Sequence, residues 1–163
     1  MKGYIYLLKE KGHTNCHKIG RTNNLKRRLE QYNNGKTKVP TWVKEIEGDV
    51  EKPMRFNETP IEFQSKVIER YGVDCQIIKE NKWIVMANRI SKEYEFEYLH
   101  TVKVKDCIEA EDKLKSWVLD KDFGLVSEWV MTGDTEWIKS AMDEIAETIN
   151  KRKWTYIKVP NNW

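Results

Sequence analysis

Cysteine is scarce in this chain: Cys16, Cys75 and Cys107 stand far apart, so neither a disulfide framework nor a CxxC pair can be read. That usage fits a reducing compartment, and a cytoplasmic protein is expected. Long apolar runs are missing as well. None approaches the roughly twenty residues a membrane helix requires, and no signal-peptide pattern opens the chain, so a soluble protein with no membrane partner is expected. Internal repeats and low-complexity linkers are absent. Neither sign of charge dominates: 29 Lys and Arg against 26 Asp and Glu leave a net +3. This excludes a partner argument from total charge alone.

The distribution of charge is more informative. Residues 1–44 hold eleven Lys and Arg against Glu10 and Glu30, a surplus of nine, so the remainder of the chain is acidic by six. A basic lobe of this kind is the electrostatic footprint of a face that meets phosphate. The stretch "HTNCH" offers His13, Cys16 and His17 as metal ligands, but with no fourth ligand or second clustered pair it defines no zinc site. A length of 163 residues suits one compact domain, or one domain with a modest insertion.

"YIYLL" from Tyr4 and "CHKIG" from Cys16 read as two strands, and "KEKGHTN" between them as a hairpin connection. Asn23 or Asn24 then offers an N-cap, and Leu25, Leu29 and Tyr32 fall at helical spacing until "NNG" stops the helix. After "KVPTW" the composition changes. Residues 46–92 read as an inserted unit: a helix opened by Thr59, Pro60 and Glu62 and closed by Gly72, then strands "VDCQII" and "KWIVMA" turning near Glu80 and Asn81. "EFEYLHTVKV" resumes as a strand, "KDCIEAEDKLKSWVL" is helical from Asp106, and "SEWVM" is strand or extended chain. Asp134 caps a last helix whose inward positions are Trp137, Ile138, Ala141, Met142, Ile145 and Ile149.

Two helices place charge on the wrong face. At about 100° per residue, Glu111 falls inside the apolar stripe of Cys107, Ala110, Leu114 and Val118, whereas Glu109 projects away and reads as a solvated charge. An unpaired buried carboxylate would cost several kcal/mol, so Glu111 calls for a cation, either a metal or a basic side chain. On the earlier helix Arg28 borders the inward face of Leu25, Leu29 and Tyr32, while Arg27 does not. A structural ion pair between Arg28 and Glu111 is the plain alternative to a catalytic role.

"GYIY" ending at Tyr6, "KIG" from Lys18 to Gly20, and an arginine eight residues past that glycine resemble the GIY-YIG nuclease superfamily. The nearest likeness is to the branch, frequent in phages and large DNA viruses, whose second motif begins with lysine. "KVKDCIEAEDKL" is similar to the family's helix carrying a metal-binding glutamate, and "SEWV" to its Glu-Trp-Phe segment. The resemblance implies an α+β fold: a small three-stranded antiparallel sheet flanked by helices, formed by residues 1–45 and 93–163 around the 46–92 insertion. It implies an endonuclease that hydrolyses phosphodiester bonds in DNA with Mg²⁺ or Mn²⁺. Carried over by position, Tyr6 is the candidate general base, with Tyr4 on the same strand face as runner-up. Lys18 stands where the superfamily often has a tyrosine and joins Arg28 as a catalytic candidate. Glu111 is the metal ligand. Arg21, Arg27, Lys36 and Lys38 of the basic lobe are the candidates for holding nucleic acid. A catalytically silent module that binds nucleic acid or protein is the alternative. Trp83 and Ile84 offer a surface for self-association, although a homo-oligomer is not otherwise indicated.

Overall fold

The computed structural model of the chain describes residues 1–14, 16–42, 75–80 and 82–152, with residues 41, 42, 75–80 and 82–89 described by their backbone alone. In order, its elements are strands β1 (Gly3–Glu10) and β2 (His17–Thr22), helix α1 (Leu25–Tyr32), strands β3 (Lys38–Trp42), β4 (Cys75–Glu80), β5 (Lys82–Ile90) and β6 (Phe96–Val104), helix α2 (Cys107–Asp120), strands β7 (Leu125–Val126) and β8 (Trp129–Val130), and helix α3 (Thr135–Asn150). They fall into two compact units, one of Met1–Leu29 with Phe96–Trp163, the other of Glu30–Glu95.

The first unit is built on the hairpin that the sequence pattern announces. β1 pairs antiparallel with β2, Tyr6 opposite Gly20 and Leu7 opposite Ile19, and on its other side with β6, Tyr6 opposite Thr101. Alternation then sorts the side chains of β1. Ile5 and Leu7, with Ile19 of β2, enter a core completed by Cys107, Ala110, Leu114 and Val118 of α2 and by Ile138, Ala141, Met142, Ile145, Ala146 and Ile149 of α3. The inward positions read for the last helix are thereby met, except that Trp137 is half-buried at the rim and Ala146 joins the interior. Both helices start on carboxylate caps: Asp106 accepts from the Glu109 N–H at 3.2 Å and Asp134 from the Trp137 N–H at 3.2 Å. Asn24 caps α1, accepting from the Arg27 N–H at 3.0 Å.

The expectation of a three-stranded sheet needs correction. The sheet has five strands in the order β6-β1-β2-β8-β7, every neighbouring pair antiparallel. The two additional strands come from the "LVSEWV" segment. Each is two residues long, too short to display an alternation in sequence.

In the second unit β3, β5 and β4 form an antiparallel sheet in that order, so the expected β4–β5 hairpin is present. β3, which carries "KVPTW", was not foreseen as a strand; Pro40 is tolerated there because β3 lies at the sheet's edge. The helix expected around Thr59–Gly72 lies outside the described residues. Among the described residues no helix is long and apolar enough to cross a membrane.

Candidate functional site

The site grows from the alternation of β2. Ile19 and Arg21 point toward α2, Ile19 into the core and Arg21 onto a glutamate one helical turn along from Cys107. The Arg21 guanidinium donates to Glu111 Oε1 at 2.8 Å. Glu111 is the buried charge that the helical wheel of α2 singles out, its side chain only 5 % exposed. Lys115, one turn further along the same helix, brings its Nζ to 3.3 Å from the same oxygen. A glutamate four residues before a lysine is the favourable orientation on a helix.

The chain of charges continues past α2. Lys115 Nζ also lies 3.3 Å from Glu128 Oε1, and Glu128 Oε2 lies 3.3 Å from Lys18 Nζ. Glu128 occupies the turn between β7 and β8, where Ser127 takes a left-handed φ of 56° and the Ile19 N–H donates to the Glu128 carbonyl at 3.0 Å. Lys18 leans over the Trp129 ring, 5.8 Å from its centroid, with its side chain 13 % exposed. Arg21, Glu111, Lys115, Glu128 and Lys18 thus form one run of alternating sign around the edge of β2. Burial pulls the Lys18 amine below its ordinary pKa, and the attraction of Glu128 offsets this only in part. Burial alone would raise Glu128, but Lys18 and Lys115 outweigh it and hold the carboxyl below its usual value. For Lys115 the loss of water is likewise outweighed, by Glu111 and Glu128, and its pKa is raised.

The tyrosines occupy the other face of β1. Tyr6 is almost completely enclosed, at 1 % exposure, and its ring meets Tyr98 edge-on at 5.4 Å. The Tyr98 hydroxyl donates to the Leu25 carbonyl at 2.7 Å, which ties the start of α1 to that face. The phenol of Tyr6 lies directly over Gly20, where any β-carbon would overlap its oxygen. Here is the steric reason for glycine in "KIG".

A protein-family model describing the T5orf172 domain matches residues 3–153, a span that holds every residue of the charge run. The chain belongs to the T5orf172 domain family. No curated protein and no solved structure matches it.

In this T5orf172 domain the first unit gathers Lys18, Arg21 and Glu111 in one connected run and places Tyr4 and Tyr6 on the face of β1 opposite Ile5 and Leu7. It does not join Arg28 to Glu111: among the described residues no ion pair within 4.0 Å links them. Arg28 is half-buried on α1, and Arg27 is exposed, reaching Asn23 Oδ1 at 3.4 Å. Lys36 and Lys38 are exposed in the second unit. Glu109 is paired rather than solvated, 2.6 Å from Arg152. The "HTNCH" groups disperse: His13 turns to Glu10 at 3.5 Å, and His17 Nδ1 lies 2.8 Å from the Thr132 carbonyl. Among the described residues no three His, Cys, Asp or Glu side chains converge to hold a metal. Sequence reasoning missed Lys115 and Glu128 as members of the site. The signals are the Glu111-to-Lys115 spacing and the glutamate of "SEWV".

Proposed function

We propose that this T5orf172 domain is a divalent-metal-dependent endonuclease of the GIY-YIG type acting on DNA. The observation that carries the reading is a buried carboxylate, Glu111, held by Arg21 of β2 and Lys115 on one side of the hairpin whose other face carries the tyrosine-glycine stack. The family is phage-associated and linked to nuclease-type modules, which supports a nuclease-like or DNA-binding role.

The donor set suits a hard ion. Glu111 supplies carboxylate oxygen, and Mg²⁺ needs few protein oxygens because it keeps most of its waters. Glu111, whose two cation contacts both run to Oε1, is the residue that would hold Mg²⁺ or Mn²⁺. Bound there, the ion would neutralise negative charge developing on phosphate oxygens. The remaining work falls to the chain's own groups. Arg21, whose side chain is 38 % exposed, can turn part of its five-donor fork to a phosphate oxygen while keeping Glu111. Lys18, with its pKa lowered by burial, is placed to bind phosphate or share in proton transfer. Tyr4, half-buried where Tyr6 is enclosed, receives the proton of the attacking water as a phenolate, and Arg28 and Arg27 on α1 contribute positive charge toward the strand that is cut.

One observation favours a second reading. The Glu111 carboxylate is already satisfied by two cations, as it would be in a nucleic-acid-binding module that does not cut. The deciding experiment incubates supercoiled plasmid with wild type, Glu111→Ala, Arg21→Ala and Arg28→Ala in Mg²⁺, Mn²⁺ or chelator, and measures binding alongside nicking. Nicking by wild type that needs a divalent ion and is lost in Glu111→Ala with binding retained is the expected outcome. Binding without nicking in both proteins establishes the second reading.

A further inference from the structure

β8 covers β2 only at His17 and Lys18, and the next bond, from the Ile19 N–H to the Glu128 carbonyl, marks where that cover ends. Glu128 is therefore fixed by its own backbone at the point where the β2 edge opens. Its side chain divides between two cations, Lys18 through Oε2 and Lys115 through Oε1, each at 3.3 Å. Exposed ion pairs between long side chains sample many geometries and stabilise little. This one differs: the Lys18 amine lies over the Trp129 ring, its side chain is only 13 % exposed, and Glu128 meets it from the turn between β7 and β8.

We infer that Glu128 is a positioning residue, holding the Lys18 amine at the edge of β2 and coupling it through Lys115 to Glu111. This inference rests on the reading of Lys18 as a working group of the proposed site. Without Glu128, Lys18 would lose the ion-pair partner it has among the described residues, while Glu111 would keep both Arg21 and Lys115. The loss should thus fall on the placement of Lys18 and leave the carboxylate of α2 in position. The charges that reach Lys18 are Glu128, Glu111 and Lys115, and Glu128 is the strongest of them.

Glu128→Gln and Glu128→Asp, with wild type, test this in the full chain by two measurements. The first is the titration midpoint of Lys18, followed through ¹³Cε-labelled lysine and assigned by the signal lost in Lys18→Arg. Glu128→Gln, folded by its melting curve, is expected to lower the midpoint, and Glu128→Asp to leave it nearer wild type. The second is plasmid nicking at saturating DNA. Here Glu128→Gln should lower kcat by about 10–100-fold, the usual effect of losing a supporting contact, with KM unchanged and partial recovery in Glu128→Asp. A folded Glu128→Gln whose Lys18 midpoint does not move, or whose kcat equals wild type, overturns the inference. Wild type that binds DNA but never nicks sinks the endonuclease reading separately, and the midpoint alone then decides whether Glu128 holds Lys18.

Discussion

Gly20 shows how much one residue can fix. The Tyr6 phenol fills the space where a side chain at position 20 would begin, so Gly20→Ala must displace an enclosed ring that is packed on Tyr98. Overpacking of this kind costs about 1–3 kcal/mol. Urea unfolding of Gly20→Ala should show a loss in that range, and an unchanged midpoint would mean the Tyr6 ring has room to move. The same scale explains what could be read of the site beforehand. Helical periodicity identifies Glu111 as a charge on a buried face because the period fixes a side chain's direction relative to its own helix. It is silent about what stands opposite. Periodicity and the family motif point to Arg28 on α1, whereas the closer cation is Arg21, which alternation places beside Ile19 on the side of β2 that faces α2. A cation on the core-facing side of a strand requires an acid, and that half of the argument was available in the sequence.

Elements with strong local signals were legible; elements made by pairing alone were not. Asp106 and Asp134 each precede an apolar stripe at helical spacing, and both helices begin where those caps predict. β7 and β8 have no such signature, because two residues owe their strand geometry to a neighbour already in place. The edge strand β3 was hidden by its proline. One contact between elements yields a prediction about acid. The neutral imidazole of His17 in β2 donates from Nδ1 to the Thr132 carbonyl before α3, at 2.8 Å. Burial lowers its pKa beneath the ordinary 6.5, with the Thr132 carbonyl acting in the opposite sense. The unfolded chain then takes up a proton near 6.5 that the folded chain refuses, so this group favours unfolding progressively as pH falls from 6.5 to the lowered folded value. Above that window its contribution is constant. Urea midpoints across it should fall for wild type and fall less for His17→Gln, which can keep a donor to Thr132; parallel curves would exclude His17 as the source.

At the scale of the molecule, the charge surplus of residues 1–44 is the feature that composition revealed most directly and that the proposed function uses most. If this lobe holds DNA through phosphates, the logarithm of affinity should fall linearly with the logarithm of salt concentration, with a slope set by the number of contacts. Arg27 is exposed and takes no part in the charge run around β2. Its replacement by alanine should reduce that slope by about one and weaken binding to all sequences alike; an unchanged slope would place the phosphates elsewhere. The five-stranded sheet also has a bearing on how the protein comes into being. Its strand β1 has β2 directly after it in the chain as one neighbour, whereas β6, the other, follows only after the residues of the second unit. A nascent polypeptide therefore carries a half-bonded strand out of the ribosome, its spare amides and carbonyls open to foreign strands until Phe96–Val104 follows.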